Sequence, residues 1–125
     1  MQQRELGQAQ TPISAIGYGA MSFSDFYGPT DDAKSFAILD RCMDLGITHL
    51  DTSNVYGLGL SEQRIGAYLK QRGQQARDFF TIGTKAGIAS EPDGSRYFNN
   101  SPEHLRKELD GSLQRLGVEQ VELLY

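Results

Sequence analysis

Short apolar runs alternate with one-sided helical stretches along nearly the whole chain, and glycines divide them. Residues 3–6 and 12–15 flank a polar stretch and read as a short hairpin. Residues 15–21 form a strand-like run that ends in small side chains. Thr30, Asp31 and Asp32 offer a helix N-cap and an acidic first turn. The helix that follows presents Ala33, Phe36, Ala37, Asp40 or Cys42, and Met43 as a stripe, and stops at Gly46. Residues 47–51 read as a second strand, and Ser61 is placed to cap a second helix with Ile65, Tyr68 and Leu69 on one face. Residues 79–85, rich in aromatic and β-branched side chains, read as a third strand, and 87–100 as a long polar loop. Ser101, Pro102 and Glu103 are a strong helix start. Leu105, Leu109, Leu113 and Leu116 line that helix up to Gly117, and 121–125 opens a fourth strand.

This order implies parallel βαβ units, because a parallel strand can be reached only by a crossover, here helical. It fits either a doubly wound sheet or a (β/α)8 barrel, and periodicity does not separate them. A dinucleotide-binding fingerprint would need a third glycine and a helix opening directly after the first strand. Gly17-Tyr18-Gly19-Ala20-Met21-Ser22 has neither and reads as a tight strand end with close backbone packing.

Composition excludes several classes. The net charge is −4 and no Lys/Arg block is present, which argues against a nucleic-acid partner. No apolar run approaches the roughly 18 residues of a membrane span. The N-terminus Met1-Gln2-Gln3-Arg4-Glu5-Leu6 is too polar for a signal peptide. Cys42 is the single cysteine, so no internal disulfide can form and no metal-ligand cluster appears. A cytoplasmic protein without a metal is the expectation.

In parallel α/β folds the chemistry gathers at the carboxyl ends of strands. Asp51 stands at the end of the second strand with Tyr56 five residues on, and Lys85 stands at the end of the third. The first strand ends in Gly19-Ala20-Met21, with Phe23, Phe26 and Tyr27 in its loop. An Asp, a Lys and a Tyr at one barrel mouth make a coherent proton donor. A phenol with a pKa of about 10 gives up its proton reluctantly near neutrality. An ammonium beside it favours the phenolate, and a carboxylate keeps that ammonium charged and aimed. Strand-end Asp and Lys can also simply pair, so spacing alone leaves both readings open. His49 reads as packing, His104 as a solvated surface residue, and Cys42 as core. Gly57-Leu58-Gly59-Leu60-Ser61 reads as a turn with an N-cap rather than an anion loop.

Gly46-Ile47-Thr48-His49-Leu50-Asp51-Thr52-Ser53, followed by Tyr56-Gly57 and Ser61-Glu62, resembles a signature region of the aldo-keto reductases. Thr84-Lys85 resembles that family's lysine segment. Ser112-Leu113-Gln114-Arg115-Leu116-Gly117 with residues 121–125 resembles the helix and strand that precede its catalytic histidine. Leu6-Gly7 and residues 16–21 resemble its hairpin and first strand.

The resemblance implies a (β/α)8 TIM barrel and reduction of an aldehyde or ketone with NADP(H). It implies Tyr56 as the general acid, Lys85 and Asp51 as its supports, and Gly19, Met21 and Asp51 beside the nicotinamide and its ribose. Phe23, Phe26, Tyr27 and the 87–100 loop would shape the substrate pocket. A hairpin, about three βα units and one strand fall short of the roughly 250 residues of a closed barrel. Residues 1–125 are therefore expected to be the N-terminal half of a barrel domain, inactive alone. The rest of the barrel or a second chain would cover its open edges. A nicotinamide-binding sensor or channel-associated subunit, and a scaffold fragment, are the competing functions.

Overall fold

The longer helices are set by their ends. In α1 (Asp32–Leu45) the Asp31 side chain accepts from the backbone N–H of Lys34 at 2.8 Å, and Gly46 closes the helix at φ 72°. Such a cap contributes typically about 1 kcal/mol. In α4 (Pro102–Leu116) the Ser101 hydroxyl accepts from the N–H of His104 at 3.3 Å, with Pro102 in the first turn. The N-cap of α2 (Leu60–Arg72) is Gly59, at φ 93°, not Ser61. Ser61 lies one residue inside the helix, where its hydroxyl serves a different purpose.

The computed structural model describes residues 1–91 and 93–125. The hairpin is β1 (Gln3–Leu6) against β2 (Thr11–Ser14), antiparallel, with Gln3 opposite Ser14. β3 (Tyr18–Gly19), β4 (His49–Asp51), β5 (Thr81–Thr84) and β8 (Leu123–Leu124) form one parallel sheet in the order β3-β4-β5-β8. The strands therefore add one after another without the reversal of a doubly wound sheet, and α2 packs between α1 and α4 in a single layer. This is barrel winding.

The structure corrects four further local readings. The first strand is only two residues long and leads into a 3₁₀ turn, Ala20–Ser24, so Met21 lies beyond the strand. Residues 74–79 form a short helix, α3 (Gln74–Phe79), before β5 begins at Thr81. The 87–100 segment contains a hairpin, β6 (Ile88–Ser90) against β7 (Arg96–Phe98), rather than an unstructured loop. The α1 stripe is rotated: Ser35, Leu39 and Cys42 are buried, whereas Ala33 and Ala37 face outward.

The core lies between the sheet and the helix layer. Leu50 and Ile82 from the strands meet Leu39, Cys42, Ile65, Tyr68, Leu69 and Leu116 from the helices. Strand alternation then fixes the opposite face. His49 and Asp51 in β4 point away from this core, and so does Lys85, three residues beyond Ile82. Among the described residues, no helix is long and apolar enough to cross a membrane.

Candidate active site

Adjacent parallel strands β4 and β5 run in register, with Asp51 opposite Gly83. Asp51 and Lys85 thus leave the sheet side by side. Lys85 Nζ is fully engaged: it pairs with Asp51 Oδ1, donates to the Thr52 carbonyl at 2.8 Å, and lies 3.3 Å from the Tyr56 hydroxyl. It also stands 5.6 Å from the centre of the Tyr125 ring. Lys85 and Asp51 are each about one-third exposed, so the ion pair faces open space beyond the strand ends.

Tyr56 reaches this pair because its loop is fixed at both ends. Its N–H donates to the Ser53 carbonyl at 3.2 Å, and its carbonyl accepts from the N–H of Ser61 at 3.2 Å. Upstream, the Thr52 and Ser61 hydroxyls are hydrogen-bonded at 2.8 Å, and Asn54 donates to Glu108 of α4 at 2.6 Å. Gly57, Leu58 and Gly59 all take positive φ, which turns the chain sharply into α2. The three residues singled out from spacing are brought together.

The first strand end supplies the neighbouring wall. Gly19 lies opposite Asp51 in register, and a Cβ built on Gly19 would meet nothing within 4 Å, so space is open there. Met21 lines a pocket of about 240 Å³ together with Phe26, Tyr56 and Arg96. Tyr27 is 73% exposed, with its hydroxyl 3.8 Å from the Met21 sulfur. Phe23 is different. Its side chain is fully buried, 5.3 Å from the Tyr18 ring, and offers no surface to a ligand. The sequence reading that put Phe23 in a substrate pocket is corrected to core. The loop between Phe23 and Thr30 is held by the buried Arg64, which donates to the Phe23 carbonyl at 2.5 Å and the Thr30 carbonyl at 3.1 Å. The Thr30 N–H, and then Arg64, hold the Asp25 carboxyl of that loop below its ordinary range.

His49 packs as expected, with Nδ1 3.2 Å from the Thr81 carbonyl. His104 departs from expectation: it is half-buried, and its Nε2 is buried without a partner among the described residues. Among the described residues no group of three His, Cys, Asp or Glu side chains could hold a metal.

The aldo/keto reductase family model matches residues 15–125. The chain belongs to this family. It is 38% identical over 123 residues to an NADP(+) aldo-keto reductase of Schizosaccharomyces pombe, covering 98% of this chain and 35% of that one. A D-threo-aldose 1-dehydrogenase of Pseudomonas is 35% identical over 132 residues, which is 90% of this chain and 39% of the relative. The chain thus spans little more than a third of the length of these curated relatives. Among solved structures, the holo form of an aldo-keto reductase from Bacillus halodurans superposes with a TM-score of 0.84 at 32% identity, over 99% of this chain and 39% of that one. Such neighbours are (β/α)8 barrels, and the four parallel strands here are part of that architecture.

Sequence reasoning missed two groups close to the Lys85–Asp51 pair in the chain or in space. The Thr52 carbonyl, which takes one Lys85 donor, is a backbone group with no side-chain signal. Glu62, wholly buried beneath Thr84, stood in the quoted motif but had no role assigned.

Proposed function

We propose that this chain supplies the proton-transfer half of an NADP(H)-dependent carbonyl reductase, with Tyr56 as general acid. The observation that carries the reading is the position of Lys85 Nζ, paired with Asp51 and 3.3 Å from the Tyr56 hydroxyl. The phenol gives its proton to the carbonyl oxygen as the carbon is reduced. The ammonium stabilises the phenolate left behind, and Asp51 keeps the ammonium in place. Run backwards, the same phenolate accepts a proton from an alcohol, which suits a family that includes a relative named as an aldose dehydrogenase.

A reduced nicotinamide, when bound, supplies the hydride. Gly19, Met21 and Asp51 are the residues here that would hold it. Open space at Gly19 and the second Asp51 oxygen, without a protein partner among the described residues, fit a flat ring with a ribose hydroxyl beside it. NADP(H) rather than NAD(H) follows the name of the fission yeast relative. The substrate is an aldehyde or ketone that enters past Phe26 and Tyr27.

Each outer strand of the sheet, β3 and β8, has one neighbour among the described strands. The proposal therefore includes a further polypeptide along them, the rest of the same protein or a second copy, and activity belongs to that whole. The test is Tyr56→Phe in the intact protein, assayed with NADPH and a simple aromatic aldehyde. Turnover should fall by roughly 10²–10⁴-fold while cofactor binding survives. Near-normal turnover would remove Tyr56 from the role.

A further inference from the structure

We infer that Glu62 is a positioning residue that acts on Lys85 through the Thr84 hydroxyl, held in turn by Arg115. This rests on the proton-donor reading of Tyr56 and Lys85. Glu62 is fully buried in the first turn of α2, and none of the proton-transfer chemistry uses it. One carboxyl oxygen accepts from Thr84 Oγ at 2.6 Å, and the other accepts from Arg115 Nε at 2.6 Å. Thr84 is the last residue of β5 and is bonded covalently to Lys85. Its own side chain is fully buried, on the helix side of the sheet, while that of Lys85 leaves on the opposite side. A hydrogen bond that fixes Thr84 therefore fixes the height and direction from which the Lys85 side chain starts.

Burying a carboxyl group is costly unless it is paired. The fold makes specific room for its partner. Arg115 lies on α4 and reaches Glu62 past Gly59, the N-cap of α2. A Cβ at Gly59 would come within 2.6 Å of Arg115 Cδ, and one at Gly66 would clash with the Arg115 carbonyl. Two residues without side chains thus let α4 close onto α2 and let the guanidinium through. The adjacent Ser61 makes a parallel connection, since its hydroxyl donates to the Ala20 carbonyl at 2.8 Å and is bonded to Thr52 at 2.8 Å. The first turn of α2 thereby ties down the ends of β3, β4 and β5, the three strands whose tips carry Gly19, Asp51 and Lys85.

A purely structural ion pair would affect stability alone. A positioning pair affects turnover in molecules that are folded. The experiment uses the intact protein, well below its melting temperature, with an aromatic aldehyde and NADPH. Thr84→Val keeps the volume and removes only the hydroxyl. It should lower kcat by roughly 10–100-fold, the scale of a small misplacement of a catalytic group, and leave both KM values unchanged. Thr84→Ser, which keeps the hydroxyl, should restore kcat. Wild-type kcat in Thr84→Val would overturn the inference, as would equal losses in the Val and Ser variants. If Thr84→Val does not fold, Glu62→Gln decides. It keeps the shape but weakens the charge-assisted bonds, so kcat should fall at unchanged KM, and an unchanged kcat overturns the inference. Tyr56→Phe is assayed in parallel. Activity there takes down both readings, whereas an inactive Tyr56→Phe beside an unimpaired Thr84→Val removes the positioning role alone.

Discussion

Lys85 and Asp51, 34 residues apart in the chain, meet as an ion pair at the ends of neighbouring parallel strands. Neither could reach the other from a different register, because slipping β5 by one residue would turn Lys85 to the helix side. The pair also limits what the lysine can do. With Asp51, the Thr52 carbonyl and Tyr56 around it, the ammonium has a partner for each of its three N–H groups.

Lys85→Met follows directly. The thioether keeps the bulk of the side chain and removes the charge next to Tyr56. Steady-state carbonyl reduction by the intact protein should fall by about 10²–10⁴-fold in kcat, within the range for loss of acid–base assistance. Asp51→Asn should cost less, because asparagine can still accept from Lys85 and the Thr52 carbonyl is untouched. An Asp51→Asn enzyme slower in kcat than Lys85→Met would mean that Asp51 does more than support the lysine and hold the cofactor's ribose.

The close approach of α2 and α4 gives a stability prediction. A Cβ on Gly66 would press on the backbone of Arg115 and on that of Leu116, with the Leu116 carbonyl carbon and oxygen both at 3.0 Å. Backbone of a packed helix cannot yield as a flexible side chain can. Gly66→Ala should therefore destabilise the protein by about 1–3 kcal/mol, the range for overpacking, despite the better helix propensity of alanine. Chemical denaturation of the wild type and the variant measures it. A variant as stable as the wild type would show that the helices can move apart freely. Gly19→Ala is the contrast. Its Cβ meets no protein atom, so stability should hold while the KM for NADPH rises.

How much of this was legible in the sequence differs by level. The strand ends are readable: the run 47–51 after Gly46 and the aromatic and β-branched run 79–85 locate Asp51 and Lys85 to within a residue of the ends of β4 and β5. The short elements are not. Phe79 and Phe80 look like strand residues, yet Phe79 closes a six-residue helix and its ring packs edge-on to Phe80 at 5.0 Å. Residues 88–98 lack the alternation that marks a hairpin, so the sequence there reads as loop although β6 and β7 pair. Ser61 is a residue type favoured at N-caps, but Gly59 takes that position and releases the hydroxyl for Thr52 and Ala20. Phe23 reads as a loop aromatic open to a ligand, but the 3₁₀ turn carries it inward. The Glu62–Thr84 bond joins residues 22 apart on a helix and a strand, and only the packing of those elements defines it.

The Arg64 clamp predicts a local loosening. Arg64→Met keeps the buried stem but releases the Phe23 and Thr30 carbonyls, which lie on either side of Phe26 and Tyr27. Hydrogen exchange of residues 24–30 should quicken while the sheet stays protected. The aldehyde KM should rise more than kcat falls, since Ser24 and Phe26 line the pocket beside Tyr56 and do not carry the proton. Unchanged exchange in that loop would show that Arg64 does not hold it.

Tyr68 predicts how stability depends on alkaline pH. Its ring is fully buried between Phe36 and Phe80, and its hydroxyl donates to Asp40 Oδ1 at 2.8 Å. Burial first, and then the Asp40 carboxylate, push the phenol up to about 12. In the unfolded chain it titrates near 10. Between about pH 10 and 12 the unfolded state has therefore released a proton that the folded state still holds, and stability falls as pH rises through that window. Below the unfolded value the contribution is fully present. Tyr68→Phe removes the titrating group, so urea midpoints of the variant should decline less steeply across the window than those of the wild type. The difference between the two proteins' ultraviolet titrations should also show one phenol ionising only near pH 12. Parallel declines in the two proteins, or ionisation of that phenol near 10, would mean that the Tyr68 hydroxyl meets water rather than Asp40.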